Sequence, residues 1–224
     1  MDLEQKLKIL VNKLSTGNFD EVIFEATYLN KKHPEQEIFY NLLSLGYQAK
    51  GEYEKSIDLL EKALKKSKNN INFLNNLGLS YYKNKDYNPA EKYFQKVLEI
   101  KPNYINTLNN LAALYEEINH VEKSEDLLKK SIKINSEVIE TNYNLASLLQ
   151  SIGKFDEAKI YYKKILKLNE NFTKADRGIA MLEKYNSSND HIKIMEKKLK
   201  DEKLHKNNII DLSFALGKVY EDIK

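Results

Sequence analysis

Apolar and small residues return along this chain every 34 residues. Ile71, Asn72, Phe73, Leu74, Asn75, Asn76, Leu77 and Gly78 come back as Ile105, Asn106, Thr107, Leu108, Asn109, Asn110, Leu111 and Ala112. The same string recurs in diverged form from Ile139 to Asn144, Leu145 and Ala146. A further register starts at Thr173 and passes Gly178, Ile179 and Ala180, and two more precede Asn70. Six units therefore tile 3–36, 37–70, 71–104, 105–138, 139–172 and 173–206. A fixed period of this size marks stacked supersecondary units that each bury one face against a neighbour. Inside a unit the apolar positions fall at helical spacing on either side of a turn. No segment alternates with period two for long enough to argue a strand. The expected fold is all-α, built of paired helices joined by turns.

The turns carry their own signature. Gly17, Gly51 and Gly153 share one phase, followed two residues on by Phe19, Tyr53 and Phe155 and five on by Val22, Ser56 and Ala158. Glycine suits a helix end that turns left-handed. Lys85 and Asn119 hold that phase in the middle units, and Asn accepts the conformation more readily than Lys. Asp20, Asn88 and Asp156 are placed as N-caps of the second helices. Pro34 and Pro102 stop helices at one common phase, and Pro89 sits in a first turn. Ala90, Ser124 and Ala158 let helices approach closely, while Tyr81, Tyr115, Phe94 and Tyr162 fill the remaining space, as core residues and not cofactor contacts.

Leu77, Gly78, Tyr81, Tyr87, Ala90, Phe94 and Pro102 together resemble the tetratricopeptide repeat signature. The resemblance covers about nine tenths of the chain by the 34-residue register. It implies a right-handed superhelical solenoid of antiparallel helix pairs whose first helices line a concave face where partners bind. The first helix of unit one departs from the pattern, with Leu10 where a small residue is usual, and is read as a diverged cap.

Carried onto this chain, the family's inward positions are Asn41, Asn75, Asn109 and Tyr143 on one row and Asn76, Asn110 and Asn144 on the next. Leu42 and Gly178 break the second row at its ends. Such a ladder is similar to that of the O-linked N-acetylglucosamine transferases, whose amides hold an extended peptide by its backbone. A carboxamide offers donors and an acceptor to any peptide bond. The alternative is that Asn fills solvated or turn-facing positions in an Asn-rich chain. Members that clamp a terminal carboxylate place Lys and Arg on these rows, where units two to four show Asn, Leu and Ala. Lys174 and Arg177 in unit six supply one local anion contact or an ordinary solvated helix face.

Composition narrows the function classes. The 224 residues carry 36 basic against 33 acidic side chains, net +3, which gives no mandate for nucleic acid or an anionic membrane. Cysteine is absent, so disulfides, thiolate metal sites and cysteine nucleophiles are excluded. His33, His120, His191 and His205 are dispersed, no phosphate-cradling glycine motif occurs, and no nucleophile and base are brought together by the period. With no secretory leader and no membrane span in the sequence, a cytoplasmic, non-enzymatic scaffold is expected, binding a protein or peptide and needing no cofactor or metal.

The tail is read separately. Tyr185 to Asp190 is a turn, and His191 to Lys203 a charged helix turning Ile192, Met195 and Leu199 inward. Residues 207–224 form the first helix of a seventh unit shifted by about three residues, by the same helical spacing. Its Leu212, Leu216, Val219 and Tyr220 are expected to form an uncovered apolar stripe open to self-association. The string Phe214, Ala215, Leu216, Gly217, Lys218 followed by Tyr220, Glu221 and Asp222 resembles the repeat that precedes the catalytic domain of bacterial tetratricopeptide-repeat sulfotransferases. That resemblance implies the non-catalytic arm of a larger transferase.

Overall fold

The computed structural model describes residues 2–202 and 204–224. Among them are thirteen helices and no strand. In chain order these are α1 (Leu3–Ser15), α2 (Phe19–Lys32), α3 (Glu37–Ala49), α4 (Tyr53–Lys66), α5 (Ile71–Lys83), α6 (Tyr87–Ile100) and α7 (Ile105–Glu117). The rest are α8 (Val121–Ile134), α9 (Ile139–Ser151), α10 (Phe155–Leu168), α11 (Thr173–Leu182), α12 (Asp190–Leu199) and α13 (Lys206–Asp222). The helix expected from His191 to Lys203 corresponds to α12, and Lys203 lies outside the described residues. The helices group into two compact units, Met1–Leu114 and Tyr115–Lys224, divided within α7.

Five of the turns inside helix pairs share one hydrogen-bond geometry. The amides of Asn18, Glu52, Asp86, His120 and Lys154 donate to the carbonyls of Lys13, Tyr47, Tyr81, Tyr115 and Leu149, five residues back, at 2.7–2.9 Å. This closure requires a left-handed residue just before the donor. Gly17, Gly51 and Gly153 take φ of 84°, 74° and 79° there, and Lys85 and Asn119 follow at 66° and 60°. The phase therefore dictates the backbone even where the residue resists it. A left-handed non-glycine costs about 1–2 kcal/mol, so Lys85→Gly should stabilise the chain by about 1 kcal/mol, less the added flexibility of the unfolded state. A urea midpoint that falls instead of rising would contradict this turn geometry.

The caps are a correction. Helices α2, α6 and α10 start at Phe19, Tyr87 and Phe155, so the N-cap positions are Asn18, Asp86 and Lys154, none with a side-chain cap bond. Asp20, Asn88 and Asp156 are instead the second helical residues. The residue that closes the left-handed turn also opens the next helix, which moves the start two residues earlier than side-chain preference suggests. Asp20 and Asp156 still face the positive end of their helices.

Packing follows the small residues. A Cβ built on Gly78 would lie 2.7 Å from the Phe94 ring, and one on Gly46 would lie 2.9 Å from Ile23. Ala90, Ser124 and Ala158 are fully buried. In the first unit, Leu10, Ala26, Leu29, Phe39, Leu42 and Leu43 form one core cluster, and Ile57, Leu60, Ala63, Phe73 and Leu77 another. Leu10, the departure from the family pattern in α1, is completely buried.

In the second unit α13 packs against α11 and α12. Leu212, Leu216 and Val219 are buried with Ala180, Tyr185, Ile192 and Met195. The stripe expected to be uncovered is thus the inward one for these three residues, and only Tyr220 is exposed. The 17-residue helix carries apolar side chains on two faces, and the one holding small Ala215 is the one that seats. Ile209, Ile210 and Phe214 point outward instead.

A buried polar cluster ties α12 to α11. The fully buried Asp176 carboxylate receives Lys198 Nζ at 2.8 and 2.9 Å and lies 2.9 Å from His191 Nε2. His191 Nδ1 is in turn 2.7 Å from the Tyr185 hydroxyl. Burial pushes that phenol up and keeps it neutral.

Candidate functional site

In the first unit the inner rows are carried by α3, α5 and α7, and their amides are stitched diagonally from one helix to the next. Asn76 Nδ2 donates to Asn41 Oδ1 at 3.2 Å, and Asn110 Nδ2 donates to Asn75 Oδ1 at 3.2 Å. The Thr107 hydroxyl donates to the same Asn75 oxygen at 2.7 Å, and Asn75 Nδ2 reaches Asn76 Oδ1 at 3.4 Å. Gln48 extends the seam, donating to the Asn76 carbonyl at 2.9 Å and to Ser80 Oγ at 2.8 Å.

Access differs along the rows. Asn75 and Asn109 are 7% and 3% exposed, whereas Asn41, Asn76 and Asn110 are half-buried. Bonds within the seam use one N–H of Asn76 and one of Asn110, and each amide retains a second. Asn75 is buried in the contact between helices, whereas Asn41, Asn76 and Asn110 keep part of their surface open.

In the second unit the inward positions named from sequence are Tyr143 and Asn144 on α9 and Arg177 on α11. Asn144 is half-buried. Tyr143 and Arg177 line one cleft of about 420 Å³, with Ser147, Gln150, Ser151, Tyr162, Lys174, Gly178, Met181 and Asp211. At the row break, Gly178 lets the Tyr162 ring seat directly against α11, where a Cβ would lie 2.6 Å from the ring. Tyr162 comes from α10, forms the floor, and donates its hydroxyl to Gln150 Oε1 at 2.9 Å. Burial raises the Tyr162 phenol, so it remains a neutral donor. Tyr143 is also raised, by burial first and then by the Asp211 charge, with Arg177 acting in the opposite direction.

Charge sits on one wall. The Arg177 guanidinium lies 4.8 Å from the Phe214 ring centroid and 3.5 Å from Asp211 Oδ1. Asp211 is buried and accepts the Thr173 hydroxyl at 3.1 Å on its other oxygen. Lys174 Nζ lies 5.7 Å from the Tyr143 ring, whose edge meets Phe172 at 5.5 Å. Sequence reasoning named Tyr143, Lys174 and Arg177 but missed Tyr162, Gln150, Met181 and Asp211. The one available signal was glycine in a row otherwise held by asparagine.

Among the described residues, no group of three or more His, Asp or Glu side chains is placed to hold a metal ion, and no helix is long and apolar enough to cross a membrane.

Tetratricopeptide repeat family models match residues 71–104, 93–126 and 139–172, and a TPR repeat model matches residues 47–85. No curated protein matches the chain. Among solved structures, pilF of Pseudomonas aeruginosa aligns at 21% identity over 82% of this chain and 83% of its own, with a TM-score of 0.65. TTC0263, a thermophilic TPR protein of Thermus thermophilus, aligns at 18% identity over 81% and 99% with a TM-score of 0.63. YrrB, a TPR protein with an unusual peptide-binding site, aligns at 15% identity over 83% and 96% with a TM-score of 0.53. At these identities the likeness is one of fold.

Proposed function

The chain belongs to the tetratricopeptide repeat family, and from that premise we propose that it is a non-enzymatic protein-interaction scaffold that holds an extended protein segment against its first helices. The observation that carries this reading is the seam of the first unit. There Asn41 on one row and Asn76 and Asn110 on the next are half-buried, with amides already oriented by bonds between helices. Amides fixed in advance spend little rotamer freedom when a partner binds, and they recognise peptide bonds without selecting side chains. In the second unit, taken by itself, Asn144 offers the same chemistry, and Tyr143 and Arg177 line a cleft. YrrB, with its peptide-binding site, supplies a precedent on the same fold.

The seam also alters what substitution at these positions costs. Each of Asn76 and Asn110 makes an interhelix bond, so the double change Asn76→Ala, Asn110→Ala should lower stability by about 1–3 kcal/mol in total. It should also weaken retention of short random peptides on the immobilised chain by about tenfold or more. Helical circular dichroism at a temperature well below both melting transitions separates the two effects. Undiminished retention by a folded double variant would remove the amide row from the binding face.

A further inference from the structure

The cleft over Gly178 has a chemistry that the amide row lacks. We infer that it receives the side-chain carboxylate of an aspartate or glutamate in the bound segment. This rests on the scaffold reading above and names the partner chemistry of the second unit. Lys174 and Arg177 stand one helical turn apart on α11, both exposed, and among the described residues the only carboxylate lining the cleft is Asp211. Asp211 is buried and already engaged by Thr173 and by one edge of Arg177. One carboxylate against two cations leaves the cleft with a net positive charge. The guanidinium has five N–H donors, and a single contact at 3.5 Å leaves most of them for a ligand.

The guanidinium is also held in place, between the Phe214 ring and Asp211, so its fork is oriented before anything binds. The Tyr162 ring, seated against Gly178, gives the cleft an apolar lining beside Met181 and Tyr143. That combination fits the methylenes of an acidic side chain below and its carboxylate at the cationic wall. A lysine of the partner is the opposite prediction, anchored on Asp211.

The test uses the full chain, immobilised, and short random peptide pools acetylated at one end and amidated at the other, so that side chains carry the only charges. One position in each pool is fixed as Glu, Gln or Lys. The Glu pool should be retained about fivefold to tenfold better than the Gln pool at low salt. That preference should shrink as salt rises and vanish in both Arg177→Gln and Lys174→Gln, which lie at the surface and should keep their helicity. Lys167→Gln, an exposed change outside the cleft, should leave it intact. Equal retention of the Glu and Gln pools, or preference for the Lys pool, overturns the carboxylate assignment while the scaffold reading stands. No retention of any pool overturns both.

Discussion

Replacing Asp176 by alanine will cost about 3–5 kcal/mol, the range for breaking one side of a buried ion pair, and will release α12. The carboxylate is completely buried, and Lys198 and His191 both turn toward it with side chains only 12% and 15% exposed. Without it, an ammonium is left in a poorly solvated site facing a cavity. The loss therefore comes mainly from the orphaned charge and not from the attraction removed. This separates it from ordinary surface pairs such as Lys8 with Glu4, whose two side chains are mostly exposed. The double variant Asp176→Ala, Lys198→Met should recover a large part of the deficit by removing the unpaired ion. Urea denaturation gives the energy, and hydrogen exchange along 190–199 locates it, since solenoid units can open locally. A loss below about 1 kcal/mol would mean that water solvates the cluster and that it does not hold α12.

The second large effect concerns Phe94 and Gly78. Phe94→Ala empties a fully buried ring site and should cost about 3–5 kcal/mol. Gly78→Ala in the otherwise unchanged chain forces a methyl against that ring at 2.7 Å and should cost about 1–3 kcal/mol. In the Phe94→Ala background the obstruction is gone. The same Gly78→Ala change should then stabilise, because alanine is a better helix former by about 1 kcal/mol and fills part of the hole. A double-mutant cycle by urea denaturation reads this reversal of sign, and simple additivity of the two losses would refute the contact.

Much of the fold is written locally. The apolar spacing that sets each helix lies within one 34-residue unit, and the turn phase imposes a left-handed residue even on Lys85 and Asn119. Small positions such as Ala90 and Ala158 were legible as core for the same reason, since close approach admits few alternatives. Errors arose where a residue's preference was read without its neighbours. Asp20 and Asp156 have the side chains of N-caps, but the preceding turn had already supplied the helix start. Leu212, Leu216 and Val219 read as an open stripe because the sequence does not show which face of α13 meets α11.

The candidate site divides along the same line. By itself the sequence determined the period and the helix pairs, because one amphipathic pattern repeated six times leaves few other arrangements; the inward placement of Asn41, Asn76, Asn110, Tyr143 and Arg177 is an expectation carried over from the family resemblance. Only the tertiary structure decided that Asn75 and Asn109 are buried while Asn41, Asn76 and Asn110 are half-buried, that Asp176 gathers His191 and Lys198, and that Tyr162 seats against Gly178 beside a cleft. Those outcomes depend on how closely neighbouring helices approach and how they are rotated. The amide bonds join residues 35 apart, one beyond the period, an offset set by packing between units that no single unit encodes.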